Sequence, residues 1–353
     1  MATETRQRFD PGKLTVFAQK VLHKIGMPEE DANLTGKMLI ACDLRGVESH
    51  GIAHLELYSN WMRNGTCNMT PKITMQDLSP TTAMIDGDNS LGFVNGHKAM
   101  SEAIKRAEKN GSGWVAVKNS KHFGAATYYA MMALEHDMIG IAMTAGGRML
   151  IAPGSTGRAG GLNPIAVAVP AGKKHPFVLD MSTSVVAGGK LEIAKRQGKM
   201  IPEGWMVDGE GKPITDLSKV DYRKPEFKGG ILPLGTSPAM GSYKGFGLSV
   251  FVDILCTTLS GAALGTMANH FFGALRINGF RPVADFKRDM DELIESIESL
   301  PPLPGVKKVY ATGGLEEEIV ADRTANGIPL DEAVIQQLKR LSQDTGVTYD
   351  VEL

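Results

Sequence analysis

The chain has 353 residues with 38 Lys and Arg against 39 Asp and Glu, and 42% of the residues are hydrophobic. This length suits about two domains or one large α/β unit, and the balanced charge offers no basic surface for nucleic acid. Three cysteines exclude a disulfide framework. The 41 glycines, about 12% where about 7% is usual, imply tight turns or close approach of the backbone to another group.

No segment predicts a membrane anchor. The N-terminal residues contain no apolar run of the kind that targets or inserts a protein. The longest apolar segment, residues 247–268, contains Asp253, whose charge would cost several kcal/mol inside a bilayer. The segment therefore predicts a buried helix. With the few cysteines, this favours a cytoplasmic protein that has no membrane partner.

The first part of the chain predicts three helices and two extended segments. In the first helix, apolar residues recur at helical spacing, at Leu14, Phe17, Val21 and Ile25. The second helix is predicted from Pro28 to Asp43 and the third from about 49 to 65. Extended segments are expected at 72–74 and 83–85.

The rest of the chain alternates between the two kinds of element. Helices are predicted at 97–109, 125–135, 186–196 and 248–259, and strands at 114–117, 139–143, 165–169, 177–180 and 274–277. Two charged helices, 285–300 and 331–342, flank a last strand near 306–311. Such alternation predicts α/β layers, and the terminal helices suggest a smaller helical domain.

The common catalytic motifs are absent from the sequence. No GxGxxG follows a strand, and GxxxxGK[ST], HExxH and GxSxG do not occur. The usual dinucleotide fingerprint, the P-loop, the zincin helix and the nucleophile elbow are thereby excluded.

The segment DLRGVESHGIAHLELY, residues 43–58, carries the first candidate site. Ser49 is predicted to cap the following helix. His50, His54 and Tyr58 then follow at intervals of four, on one helix face. The histidines suit proton transfer, a packing pair or a zinc pair, but no third ligand at recognisable spacing follows, so no metal is expected. A metal-dependent lyase or hydrolase using His50 and His54 remains the alternative from another class.

Three further segments combine glycines with reactive side chains. His122 and Gly124 lie between a strand and a helix, where ligands bind in α/β proteins, and His122 is equally well a catalytic group or a loop histidine. Residues 145–170 hold six glycines and predict either a flexible loop or a lid, with Arg148 and Arg158 available for anions. Asp180 ends a strand, and further on Lys244 occupies a glycine-rich turn.

Several segments occur in the order and spacing of one known family: RGVESHGI, NSKHFGAATYY, LNPIAVAVP, LDMSTS, YKGFGLS and GGLEEE…NGIPL. Over nearly its whole length the chain resembles the malate/L-lactate dehydrogenase family, which includes ureidoglycolate, sulfolactate and diketogulonate dehydrogenases and Δ1-piperideine-2-carboxylate reductase. The resemblance implies a homodimer with a non-Rossmann NAD(P)-binding fold, a three-layer α/β/α arrangement with a mixed sheet, and a smaller helical domain from the two termini. The implied divisions are 1–70, 71–284 and 285–353.

The resemblance also implies the activity, hydride transfer between NAD or NADP and a small 2-hydroxyacid or 2-oxoacid. Ser49, His50 and His122 would be catalytic, and either histidine supplies the proton. The implied substrate residues are Arg45, His54, Tyr58, Arg148 and Leu162. The implied cofactor residues are His122, Phe123, Gly124, Ala125, Ala126, Asp180, Met181, Ser182, Lys244, Gly313, Gly314, Leu315 and Glu316.

Three positions depart from the family pattern. His54 stands where members carry an arginine able to clamp the substrate carboxylate, and Leu162 stands where they carry threonine. Both changes predict weak turnover of malate and preference for another substrate. Lys190 replaces an aspartate of the imine-reducing members, which weighs against the alternative of a cyclic imino-acid reductase.

Overall fold

The computed structural model describes residues 6–224, 226–265 and 268–353, apart from the side chain of Arg196. The strands are β1 (Arg8–Phe9), β2 (Thr74–Asp77), β3 (Thr82–Ser90), β4 (Ser112–Ser120), β5 (Met138–Ala145), β6 (Leu150–Ile151), β7 (Arg158–Gly160), β8 (Ile165–Val169), β9 (Phe177–Met181), β10 (Met206–Asp208), β11 (Pro213–Ile214), β12 (Gly229–Ile231), β13 (Asn269–Arg276) and β14 (Ile328–Pro329). The helices are α1 (Pro11–Lys24), α2 (Glu29–Leu44), α3 (Leu55–Arg63), α4 (Gly92–Asn110), α5 (Ala126–Met132), α6 (Gly188–Arg196), α7 (Ser242–Asp253), α8 (Val283–Glu298), α9 (Gly314–Asn326) and α10 (Glu332–Thr345).

Within these ranges the main sheet has seven strands, in the order β2-β3-β4-β13-β5-β8-β9. The pair β3–β4 is parallel and the other neighbours are antiparallel. Strand β13 is central, and its Phe272 lies opposite Val115 on one side and Ala142 on the other. The expectation of a mixed sheet is confirmed.

Helices cover both faces of this sheet, which confirms the three-layer arrangement. Helices α4 and α5 pack on one face, where Val115, Val117 and Phe272 belong to the largest core. On the other face α7 and the π-helical turn Ile254–Thr258 pack over a smaller core that includes Phe271. Side chains that alternate along each strand supply both cores.

The helices from the two ends of the chain meet, since α10 packs on α1 and α9 on α2. Strand β1 pairs with β14 and fastens the ends together. Helix α8 lies elsewhere: the carboxylate of Asp291 accepts hydrogen bonds from the backbone N–H groups of residues 172–174. The divisions at residues 70 and 284 stay a prediction.

The prediction of a last strand near 306–311 is wrong. Residues 301–310 are irregular, and most of their side chains are exposed. Proline at 301, 302 and 304 removes backbone donors, so this part of the chain is a poor edge for strand pairing. The helix α9 that follows was not predicted.

A second sheet, in the order β11-β10-β12-β6-β7, contains part of the glycine-rich segment 145–170. The segment is therefore not simply a flexible loop, because β6 and β7 lie within it. Arg158 is not free for an anion: its guanidinium donates to the carbonyls of Gly229 and Tyr222 and lies over the ring of Phe227.

Candidate active site

The turn that carries the first histidines differs from the prediction. Residues Glu48–His50 and Ile52–His54 form two 3-10 turns, and α3 begins only at Leu55. Ser49 lies within the first turn and does not cap a helix, so that prediction is wrong. Its hydroxyl instead lies 2.9 Å from Nδ1 of His50.

A buried carboxylate nine residues away fixes these turns. Asp43 accepts a hydrogen bond from the N–H of Ile52 at 2.6 Å. A Cβ atom at Gly51 would lie 2.0 Å from Oδ1 of Asp43, so only glycine leaves room for this contact. Burial raises the pKa of Asp43 to about 7, while the N–H of Ile52 opposes the shift. Sequence reasoning missed Asp43, because nothing local marks it as a cap.

The same turns are held from behind by α9. One nitrogen of Arg323 donates to the carbonyl of Asp43 and the other to the carboxylate of Glu48, both at 2.6 Å. Arg6 also pairs with Glu48. These contacts tie the 3-10 turns to the helices from both ends of the chain.

The structure brings three histidine rings and one tyrosine together. The ring centroids of His50 and His122 are 5.3 Å apart, those of His54 and His122 5.8 Å, and those of His50 and His54 6.0 Å. The hydroxyl of Tyr58 lies 2.6 Å from Nδ1 of His122. His122 comes from the turn after β4, so residues distant in sequence form one cluster, called here the histidine cluster.

The histidine cluster is uncharged at neutral pH. Burial lowers the pKa of His50 to about 4, and it lowers that of His54 to about 4 with help from His50 and Arg223. The pKa of His122 lies well below its usual range because of burial and the neighbouring histidines. Nδ1 of His54 is buried and has no hydrogen-bond partner among the described residues.

A network of polar and aromatic side chains at the ends of the central strands β4, β5 and β13 orients the turn that carries His122. The ring of Phe123 stacks on His270 at 4.5 Å and on Tyr129 at 4.9 Å. The two ring nitrogens of His270 lie 2.8 Å from the hydroxyls of Thr144 and Ser120. No motif pointed to His270, whose partners come from other strands.

The other side of the site is charged. One oxygen of Asp180, Oδ2, accepts hydrogen bonds from both the N–H and the hydroxyl of Thr127, in the first turn of α5. Arg45 donates from Nη1 to Glu317 at 2.7 Å, while its Nη2 is buried without a partner in the described ranges.

The predicted cofactor segments converge on this charged side. The N–H of Val178 donates to the carbonyl of Thr312, which places the start of α9 beside β9. Arg45 and Glu316 are electrostatic neighbours of Asp180. The segments 122–126, 180–182 and 313–316 therefore lie close to one another.

Two predicted residues lie apart from the histidine cluster. Lys244 is exposed in the first turn of α7, with its Nζ 5.9 Å from the ring centroid of Tyr243. Arg148 is exposed, and it acts electrostatically on Asp253 of α7. No contact of either with a histidine of the cluster is present in the part of the chain that the structure describes.

Leu162 lies beside α6, at the edge of the site. A Cβ atom at Gly188 would lie 3.2 Å from Cδ1 of Leu162, and one at Gly189 would lie 2.4 Å from Cβ of Ser49. The first turn of α6 thus separates Leu162 from the turn that carries His50.

Comparisons with known proteins agree with this arrangement. The family model for malate/L-lactate dehydrogenase matches residues 9–339. A malate dehydrogenase of Pyrococcus horikoshii is 41% identical, and the alignment covers 96% of each chain. An L-sulfolactate dehydrogenase of Methanocaldococcus jannaschii is 37% identical over 94% of this chain and 95% of its own.

A solved structure has the same fold. Malate dehydrogenase from Entamoeba histolytica superposes with a TM-score of 0.94 at 32% identity, covering 98% of this chain and 99% of its own. The chain therefore belongs to the malate/L-lactate dehydrogenase family and is a nicotinamide-dependent 2-hydroxyacid dehydrogenase.

Proposed function

We propose that His122 exchanges the proton while hydride passes between the nicotinamide and C2 of a small 2-hydroxyacid or 2-oxoacid. The observation that carries this assignment is the 2.6 Å contact between Nδ1 of His122 and the Tyr58 hydroxyl, whereas Nδ1 of His54, an equally central ring, has no partner among the described residues. His122 also belongs to the segment predicted to hold the cofactor, which would place its ring between the two reactants.

The hydrogen bond from Tyr58 fits this role. The Tyr58 hydroxyl lies 2.6 Å from Nδ1 of His122, and the N–H of Gly124 also contacts this nitrogen at 3.3 Å, so Nε2 is the ring atom left for the substrate oxygen. Neutral His122 takes the proton when a hydroxyacid is oxidised and returns it when an oxoacid is reduced. His50, oriented by Ser49, would hold the substrate.

The residues around Asp180 fit a nicotinamide dinucleotide. The buried Nη2 of Arg45 lacks a partner, and a guanidinium N–H suits a phosphate or carboxylate oxygen. The cofactor supplies or accepts the hydride when it is bound. We assign its contacts to residues 122–126, 180–182 and 313–316, with Lys244 as a further contact. The choice between NAD and NADP is left to the assay.

The uncharged ring of His54 and the apolar Leu162 support a substrate other than malate. A neutral imidazole cannot form the bidentate pair that an arginine makes with a carboxylate. The relatives named above act on malate or sulfolactate, so weak malate turnover stays a prediction for this chain.

We further propose a homodimer that works in the cytoplasm. On α7, the π-helical turn after it and the residue that follows, several large apolar side chains are 38–58% exposed: Leu248, Val250, Phe251, Ile254 and Leu259. A second copy would cover such a face. The three cysteines are free and buried, as in a reducing compartment, and no helix among the described residues is long and apolar enough to cross a membrane.

The test is an assay of the purified protein with a panel of 2-oxoacids and cyclic imines, each with NADH and NADPH. We expect turnover of at least one monocarboxylic 2-oxoacid to exceed that of oxaloacetate. Oxaloacetate as the best substrate would contradict the proposed specificity. If no oxoacid is reduced and a cyclic imine is, the function is that of an imino-acid reductase instead.

A further inference from the structure

We propose that Arg223 binds the carboxylate of the substrate and thereby determines specificity for anionic 2-oxoacids. The inference rests on the proposed function and adds a residue to the same site. Arg223 belongs to the loop before β12, far in sequence from the histidine cluster, and no motif drew attention to it.

The position of Arg223 follows from the contact between α6 and the turn that carries His50. A Cβ atom at Gly189 would lie 2.4 Å from Cβ of Ser49, so the start of α6 lies against this turn. Glu192 follows Gly189 by three residues and therefore shares its face of the helix. Its carboxylate pairs with the guanidinium of Arg223. Glu192, the partner of Arg223, is thus about one helical turn from the contact with Ser49.

Arg223 also acts electrostatically on the histidine cluster. The guanidinium helps to lower the pKa of His54, although burial is the larger cause. The same charge that disfavours a cationic His54 attracts an anion to that place. Arg158 holds the carbonyl of Tyr222 and so fixes the backbone next to Arg223.

The other arginines near the site serve other groups. Arg158 donates to two backbone carbonyls. Arg45 lies beside Asp180, where it pairs with Glu317 and where its unpartnered Nη2 is assigned to the cofactor. Arg148 is exposed and acts electrostatically on Asp253 of α7. The neutral histidines offer no charge for a carboxylate, whereas the guanidinium of Arg223 can form two parallel hydrogen bonds with one.

The pair with Glu192 is exchangeable. The side chain of Arg223 is 60% exposed and that of Glu192 46%, and an ion pair this exposed contributes little to stability. A substrate carboxylate arriving beside His54 can therefore replace Glu192 as the partner of Arg223.

The test compares Arg223→Ala with Lys224→Ala, a neighbouring cation that is also 60% exposed and has only a loose pair with Asp221. The measurements are KM and kcat for pyruvate, the KM for its uncharged methyl ester, and the dissociation constant of oxamate from the enzyme–NADH complex. We expect Arg223→Ala to raise the KM for pyruvate and the oxamate constant about 10- to 100-fold, with kcat changed less than about threefold. The KM for the ester and all values for Lys224→Ala should stay near those of the wild type.

Glu192→Gln is the second variant, because it removes the competing carboxylate. It should lower the KM for pyruvate about two- to fivefold. An unchanged oxamate constant in Arg223→Ala, or an equal rise of KM for acid and ester, would overturn the role of Arg223. A wild-type enzyme that reduces no 2-oxoacid but still binds NADH would instead overturn the proposed function, so the two failures are distinguishable.

Discussion

The two sides of the candidate site differ in charge. His50, His54 and His122 lie together with no ion pair among the described residues, and their pKa values are all lowered by burial. On the other side, Arg45 is paired with Glu317 and the carboxylate of Asp180 is held by Thr127. Burial raises the pKa of Asp180, while the hydrogen bonds from Thr127 and the charge of Arg45 oppose the shift. Under the proposed function, the group that gains and loses a proton is thus kept uncharged, while the residues assigned to the cofactor include a fixed ion pair.

Under the proposed function, this contrast separates proton transfer from cofactor binding. A histidine in a neutral cluster takes a proton without first losing a counter-ion. The ion pair of Arg45 with Glu317 on the opposite side would hold its geometry before the cofactor arrives, which reduces the entropy lost on binding. Variants of the uncharged side should therefore alter kcat or destabilise the turn that carries the histidines. Variants of the charged side should alter cofactor affinity.

The largest expected effect comes from His122→Ala. Loss of the proton-transferring group should lower kcat about 10²- to 10⁴-fold, while NADH binding measured by fluorescence changes little. His136→Ala is the matched control, because this histidine is exposed and pairs with Glu108. An active His122→Ala enzyme would remove His122 from the reaction.

Next is Asp43→Ala, which tests what holds the uncharged side in place. The buried N–H of Ile52 would lose its acceptor, and the free energy of unfolding should fall by about 1–3 kcal/mol. Denaturant unfolding measures this, with the exposed Asp350→Ala as the control. Asp43→Asn retains an acceptor oxygen and should restore most of the loss; if it does not, the carboxylate charge matters more than the hydrogen bond.

Tyr58→Phe should have a smaller effect. It removes the hydroxyl at Nδ1 of His122 but keeps the ring in the core, so we expect kcat to fall about tenfold. Tyr310→Phe, which removes a hydroxyl that donates to Glu318 on a half-buried ring, serves as the control. A change in KM alone, with kcat intact, would show that Tyr58 contacts the substrate and does not act through His122.

The smallest effect is expected for Thr127→Val, on the charged side. The variant loses the hydroxyl bond to Asp180 but keeps the backbone N–H bond. Titration with NADH should show that the variant binds NADH about two- to tenfold more weakly, while its kcat is nearly unchanged. The exposed Thr70→Val serves as the control. A loss confined to kcat would break the division between the two sides.

Much of the fold could be predicted, because long elements have periodic patterns. The strand predicted at 165–169 has those bounds in the structure, and the helices with apolar stripes were found at both ends of the chain. The second sheet was missed because its strands have two or three residues, too few to show a period. Helix α9 was missed because its start was interpreted only as a cofactor loop.

The site was predictable in part. The spacing of His50, His54 and Tyr58 by four indicated a shared face, and the structure places these side chains together. Their approach to His122 depends on how β4 and the 3-10 turns pack, which local sequence does not encode. Asp43 is nine residues from its partner Ile52, and Arg223 is about 170 residues from His54. No spacing rule could therefore have indicated either residue.

The central claim, that proton transfer depends on a histidine kept neutral by burial, is tested most directly by the pH dependence of kcat/KM for hydroxyacid oxidation. Oxidation needs the neutral ring, and a lowered pKa extends the neutral form to lower pH. We predict that kcat/KM stays level as the pH falls from about 8 to about 6 and declines only below that. A decline with a midpoint at or above about 6.5, the value of an unperturbed histidine, would contradict it.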